Sequence, residues 1–234
     1  MANYTVFLYR RAKLYGFSTG VFMGFNYQIA KYILGAANLK QLPDDEGVEV
    51  AFAGRSNAGK SSALNRLTNR KSLARTSKTP GRTQLINLFD IEDGNRLVDL
   101  PGYGYARVAK AVKEHWQKTL GLYLQSRNCL KGLVVLMDIR HPCKEMDLSM
   151  INWALEADLQ VLVLLSKSDK MKQGARMDAK RKVMKILMDS MKQPENLSIS
   201  TFSALKGDGV TNLRDFLDGL YEEKVPDPIE GTGD

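Results

Sequence analysis

The sequence predicts an α/β fold: a mostly parallel six-stranded sheet with one antiparallel hairpin strand and helices on both faces. Three observations predict it. Short, continuously apolar runs at 133–136 and 161–165 read as parallel strands covered on both sides. From Pro101 onward, such runs alternate with longer stretches of helical periodicity. A glycine-rich turn, Gly54 to Ser61, stands between an apolar strand pattern and a helix.

The elements follow in order. A breaker run, Pro43-Asp44-Asp45-Glu46-Gly47, precedes the first strand at 48–53, and the glycine-rich turn opens a helix at 61–68. Residues 69–84 are polar and basic and contain Pro80-Gly81, so they read as a long loop; loops of that length in a compact domain are usually functional. Strands at 85–91 and 96–100 are joined by Glu92-Asp93-Gly94-Asn95, whose Asp-Gly pair specifies an antiparallel hairpin. Helices are predicted at 109–126, 145–158, 175–192 and 210–222, with strands at 132–138, 159–165 and 197–202. Trp116 and Trp153 fall in predicted helices and read as core, and His115 and His141 read as structural.

At 234 residues the chain suits one large domain with short tails. The expected division is an N-terminal extension over 1–24, a lead-in over 25–46, the main domain over 47–223 and an acidic tail over 224–234. Cys129 and Cys143 match no zinc spacing and read as reduced structural thiols of a cytoplasmic protein. No apolar run approaches the 18 residues of a membrane span. The net charge of +8 is uneven: residues 1–43 carry five cations and no acid, and residues 222–234 carry five acids and one lysine. A cationic body favours a polyanionic partner, either nucleic acid or an anionic membrane surface.

Five motifs carry the chemistry. Gly54-Arg55-Ser56-Asn57-Ala58-Gly59-Lys60-Ser61, followed by Ser62, matches the phosphate-loop pattern. Its glycines let successive backbone N–H groups aim at phosphate oxygens, Lys60 would reach the β- and γ-phosphates, and the Ser61 hydroxyl would ligate Mg²⁺. Asp99-Leu100-Pro101-Gly102 lies 38 residues after Ser61, across the hairpin. Asp99 there can hold Mg²⁺ through water, and the Gly102 amide can sense the γ-phosphate. Thr83, within Gly81-Arg82-Thr83-Gln84-Leu85, can complete the Mg²⁺ shell while a γ-phosphate is present, which makes 69–84 a candidate switch. Ser166-Lys167-Ser168-Asp169 resembles the [NT]KxD guanine element: the Asp169 carboxylate accepts from guanine N1–H and the exocyclic amine, a donor pair adenine lacks. Serine at 166, where Asn or Thr is usual, is a departure expected to weaken a contact to the phosphate loop. Finally, the Ala204 backbone N–H of Phe202-Ser203-Ala204 can bind guanine O6.

Together GRSNAGKS, TPGRTQ, DLPGYGYA, SKSD and FSAL resemble the EngB (YihA/YsxC) family of bacterial GTPases, within the Ras-like P-loop NTPases, over about residues 26–221. The match includes Asp138-Ile139-Arg140-His141-Pro142. The resemblance implies GTP and GDP binding, Mg²⁺-dependent hydrolysis, a role in assembling the large ribosomal subunit, and a link to normal cell division and septation. Residues 1–24 fall outside it and are expected to be disordered or, with Met23 as the true start, an artefact of start-site choice.

Tyr103 stands where Ras-like enzymes place a water-orienting glutamine, and no arginine finger is assignable within the chain, so slow intrinsic hydrolysis is expected. Asn57 resembles the asparagine through which related GTPases recruit K⁺. From Val50 to Phe89 there are eight Lys or Arg residues and no acid, and a second basic run spans 170–192. Both exceed what one nucleotide needs and fit ribosomal RNA, with no DNA and no membrane insertion expected and a monomer favoured. Two alternatives stand beside this: a membrane-surface division GTPase using the basic N-terminus, and a P-loop metabolic kinase, which would carry no guanine element.

Overall fold

The computed structural model describes residues 24–74, 85–92, 94–104, 110–191 and 193–222, with backbone alone for 110–116. Seven strands form one sheet: β1 (Lys31–Ala36), β2 (Val48–Gly54), β3 (Ile86–Asp90), β4 (Asn95–Asp99), β5 (Leu130–Asp138), β6 (Gln160–Ser166) and β7 (Leu197–Thr201). Among the described residues the α-helices are α1 (Lys60–Leu67), α2 (Lys110–Ser126), α3 (Glu145–Glu156), α4 (Gln173–Ser190) and α5 (Val210–Glu222). The strand order is β1-β3-β4-β2-β5-β6-β7, parallel from β4 to β7, with β3 antiparallel to both of its neighbours.

The sheet therefore has one strand more than the six expected. β1 is an edge strand, mostly exposed, with its register broken between Tyr32 and Leu34. Its sequence, KYILGA, carries neither a clean alternation nor a continuous buried run, so the pattern gives no strand signal there. The other strands coincide with the expected ones to within about two residues.

The alternation of side chains along the central strands divides the core in two. Val50, Phe52, Val134, Leu136, Leu162 and Leu164 face α1 and α5. Ala51, Ala53, Leu133, Val135, Val161 and Val163 face α2, α3 and α4. β2 is buried along its whole length because it sits at the middle of the sheet with helices on both sides. α5 meets the sheet through Leu213, Leu217, Leu220 and Tyr221, one helical stripe. Trp153 is only partly buried against the core rather than inside it; the side chains of His115 and Trp116 lie outside the described ones. Both cysteines are free thiols. Burial, with the charge of Glu49 behind it, pushes the Cys129 thiol up to about 12. Burial pushes that of Cys143 up to about 11, consistent with structural filling. Among the described residues no helix is long and apolar enough to cross a membrane.

At the amino end of β2 the fully buried Glu49 carboxylate gathers four donors from three residues: Tyr123 Oη at 2.9 Å, Arg127 Nη2 at 2.7 Å and Nε at 3.1 Å, and Arg96 Nη1 at 3.0 Å. Arg127 also donates to the carbonyl of Pro43 at 2.8 Å, so the end of α2, the lead-in and the central strand share one knot. Burial acts to raise the Glu49 carboxyl, and the Arg127 hydrogen bond and charge outweigh it, leaving it below its ordinary 4.5. Arg127→Met leaves that buried charge with Arg96 as its remaining counterion and removes two hydrogen bonds to it, which should cost about 3 kcal/mol in chemical denaturation. Because the folded carboxyl is depressed, its contribution is fully present above pH 4.5 and lost as pH falls through the folded value. The stability difference between wild type and Glu49→Gln should accordingly be flat above pH 4.5 and shrink below it; a difference that grows in acid would refute this account.

Candidate nucleotide-binding site

The loop from Gly54 to Gly59 joins the carboxyl end of β2 to α1. A β-carbon on Gly54 would meet the Leu136 carbonyl at 2.7 Å, so only glycine lets β2 and β5 come together there. Asn57 (φ 66°) and Gly59 (φ 100°) take left-handed backbone, curling the chain into a concave run of amides. Gly59 offers α1 no side-chain cap. The first amides of α1 thus add a positive helix end to the concavity, which is the chemistry of an anion site.

Around this loop the expected residues converge. Lys60 Nζ is ion-paired with Asp99 Oδ1, both side chains nearly buried. Ser61 and Ser62 belong to the first turn of α1. Asp99 ends β4 opposite Phe52, and the Leu100 amide donates to the Phe52 carbonyl at 3.0 Å. Leu100 is buried, so its part in the site is played by its backbone, whereas Pro101 and Gly102 are half-exposed. Gly102 lies against Ser56: a β-carbon on it would come within 3.3 Å of Ser56 Oγ. Leu85 is half-buried just before β3. Gly81, Arg82, Thr83 and Gln84 lie outside the described residues.

On the other flank, β6 and β7 bring up the residues expected to recognise a base. Ser166 Oγ lies 2.5 Å from the Ala58 carbonyl and 3.1 Å from that of Met137. The contact to the phosphate loop that the serine was expected to weaken is therefore made. Lys167, also left-handed, donates to the Asn57 carbonyl at 2.6 Å and pairs with Asp138 at 3.0 Å. Ser168 is fully buried, and its hydroxyl has no hydrogen-bond partner, so its role at the site rests on its backbone. Asp169 Oδ1 accepts from Ser203 Oγ at 2.7 Å, which aims the carboxylate and, with Lys170 and Lys206 nearby, holds it below its ordinary range. Phe202 is buried, its carbonyl accepting from the Ser168 amide at 3.1 Å. Ala204 follows, half-exposed, on the same rim.

Five residues outside the expected set also shape the site. Asp138 accepts from Arg140 through both oxygens, at 2.9 and 2.6 Å. The Arg140 hydrogen bonds hold its carboxyl well below the usual range, so it remains an anion that fixes Lys167 over the loop. Tyr103 Oη donates to the buried Asp147 at 2.8 Å. A cavity of about 140 Å³ beside the phosphate loop is lined by Arg55, Asn57, Asp138, His141, Asp147 and Lys167. His141 is thus an exposed residue at the site's edge and not a structural one. The run Asp138 to Pro142 was visible as a sequence signature; the Tyr103–Asp147 pair had no sequence signal.

Residues 49–167 match a family model described as 50S ribosome-binding GTPase. A probable GTP-binding protein EngB of Edwardsiella ictaluri is 56% identical over 210 residues, covering 90% of this chain and 95% of its own. One of Klebsiella pneumoniae is 58% identical over 201 residues, 86% of this chain and 94% of its own. A crystal structure of a probable GTP-binding protein engB superposes with TM-score 0.60 at 22% identity, covering 76% of this chain and all of that one, a likeness of fold. If Asp169 reads guanine as the sequence predicts, Asp169→Asn replaces one of its two acceptors by a donor. It should weaken GTP binding by about a hundredfold or more while admitting xanthosine triphosphate, whose 2-oxo group suits the amide. Equal GTP affinity in fluorescence titrations of the variant would remove Asp169 from base recognition.

Proposed function

This chain belongs to the EngB family of GTP-binding proteins, and from that premise we propose that it is a Mg²⁺-dependent switch acting in assembly of the large ribosomal subunit. That it binds GTP and hydrolyses it to GDP and phosphate follows from the family. The observation that carries the finer reading is the excess of cation on its surface beyond the nucleotide site. On α4 only Val183 and Leu187 are buried. Lys170 and Lys172 before it, and Arg181, Lys182 and Lys185 along it, stand exposed, a face suited to a polyphosphate backbone. On the opposite side of the sheet Arg66 and Lys71 are exposed as well, while Arg70 is occupied by the Ala30 carbonyl. The partner is ribosomal RNA rather than DNA. The protein works as a cytoplasmic monomer, and cell division and septation depend on it through the ribosomes it helps to complete.

The donors near Lys60 are hard oxygens, the Ser61 hydroxyl and the Asp99 carboxylate, which fit Mg²⁺. An ion held there would supply positive charge against the phosphate oxygens. The chain's own part begins with binding: the amides of the loop and first turn of α1, other than those of Ser56 and Ala58, which bond Tyr103 and Arg55, cradle the phosphates, and Lys60 leaves Asp99 for the β- and γ-oxygens. Asp99, released from that pair, and the hydroxyls of Ser61 and Thr83 would hold the ion, and the Gly102 amide would meet the γ-phosphate. Tyr103 spends its hydroxyl on Asp147, so no side chain at that position orients the attacking water. Hydrolysis is accordingly slow until a partner supplies charge or order, or until K⁺ bound beside the exposed Asn57 does so.

Co-sedimentation with purified large ribosomal subunits tests the reading. The protein should pellet with a non-hydrolysable GTP analogue and far less with GDP or no nucleotide. Arg181→Glu with Lys185→Glu should weaken pelleting and flatten its salt dependence by about two charges without changing nucleotide affinity. Absence of pelleting in every state would overturn the ribosomal role. Separately, turnover should be higher in K⁺ than in Na⁺ buffer, and Asn57→Ala should abolish the difference; equal rates for the wild type in both salts would remove K⁺ from the mechanism.

A further inference from the structure

Tyr103 immediately follows the Asp99–Gly102 element, and the hydrolysis described above makes no use of its side chain. Yet the residue is gripped on three sides. Its ring packs into the core on the α2–α4 side of the sheet. Its main chain pairs with the phosphate loop: Tyr103 N donates to the Gly54 carbonyl at 3.3 Å, and Ser56 N donates to the Tyr103 carbonyl at 2.9 Å. Its hydroxyl donates to Asp147 Oδ1 at 2.8 Å, and the other oxygen of Asp147 accepts from the Lys144 amide at 3.0 Å, closing the first turn of α3.

A buried tyrosine hydroxyl needs a partner, but a partner on any element would satisfy that need. Here the partner is itself nearly inaccessible, at 1% exposed, and belongs to a helix that also walls the cavity beside the phosphate loop. Gly102, one residue back, leans on Ser56. Fixing residue 103 therefore limits where the Gly102 peptide can go before any nucleotide arrives.

We infer that Tyr103 is a positioning residue for γ-phosphate discrimination: its hydrogen bond to Asp147 holds Gly102 at the phosphate loop and ties that sensor to the first turn of α3. The inference rests on the reading of Gly102 as the group that meets the γ-phosphate. A preorganised sensor favours the ligand that touches it. GTP gains from the latch, and GDP, which has no γ-phosphate, does not.

The test is equilibrium titration of the full chain with GDP and with guanosine 5′-(β,γ-imido)triphosphate, in Mg²⁺. Tyr103→Phe keeps the ring and removes only the hydroxyl. It should weaken the triphosphate analogue by about three- to tenfold, the net worth of one hydrogen bond, and change GDP by less than about twofold. Asp147→Asn keeps an oxygen for the Lys144 amide and an NH₂ that can bond the Tyr103 oxygen, so it should retain the wild-type ratio of the two affinities. The paired variant Tyr103→Phe with Asp147→Leu leaves no buried carboxylate without its tyrosine partner; it also removes the cap on the Lys144 amide, which lowers stability but not the ratio, and it should show the same selective loss as Tyr103→Phe. A structural role alone would lower both affinities together or neither, and either result overturns the proposal. Gly102→Ala separates the two layers of the argument. If it changes the ratio while Tyr103→Phe does not, the latch is wrong and the sensor stands; if neither changes it, the sensor reading fails as well.

Discussion

The site depends on one constraint: a loop that turns its amides inward toward an anion must have its carbonyls satisfied from outside. Each has a different source. The Gly54 carbonyl takes the Tyr103 amide, that of Arg55 takes the Ala58 amide, and that of Gly59 takes the amide of Ala63 within α1. The Asn57 carbonyl takes the Lys167 ammonium, and Ala58's takes the Ser166 hydroxyl. Four segments of chain therefore share the work of holding one loop open. Buried backbone groups left unpaired cost free energy, so the loop's shape and the placement of its neighbours are the same fact.

That arrangement explains why base and phosphate recognition are not separable modules here. Lys167 and Ser166 support the phosphate loop through the very turn that aims Asp169. Asp138, gripped by Arg140, keeps Lys167 in position from behind. On the other side, the Lys60–Asp99 pair provides each of two nearly buried charges with a counterion, which a lone buried charge could not do without.

Much of this was legible from residue order. The buried strands β2, β5 and β6 are short, apolar and bounded by turn residues, and the helices are long enough for their periodicity to speak. The Gly54–Ser61 loop was readable because its chemistry is local: glycine, lysine and serine at fixed offsets. What could not be read was of two kinds. β1 carries no pattern because edge exposure removes the need for one. The partnerships of Tyr103 with Asp147 and of Glu49 with Arg127 span 44 and 78 residues, and nothing in either partner's neighbourhood names the other. Ser166 is an intermediate case. Its position was recognised, but its reach depends on how closely β6 brings it to Ala58, a distance only the folded sheet sets.

The parallel order of the sheet has a consequence during synthesis. The bond from Ser166 to Ala58 closes 108 residues, and that from Lys167 to Asn57 closes 110. Parallel pairings of such separation form late, since the chain entropy of closing them is lost before any contact is gained. Translation delivers the phosphate loop early and the Ser203 that orients Asp169 near the end. A nascent chain that exposes the glycine-rich loop is therefore not yet able to choose a base. With Asp169 as the proposed reader of the base, selective binding begins only when nearly the whole domain has been made and docked, and from then on the nucleotide itself stabilises the folded state by mass action.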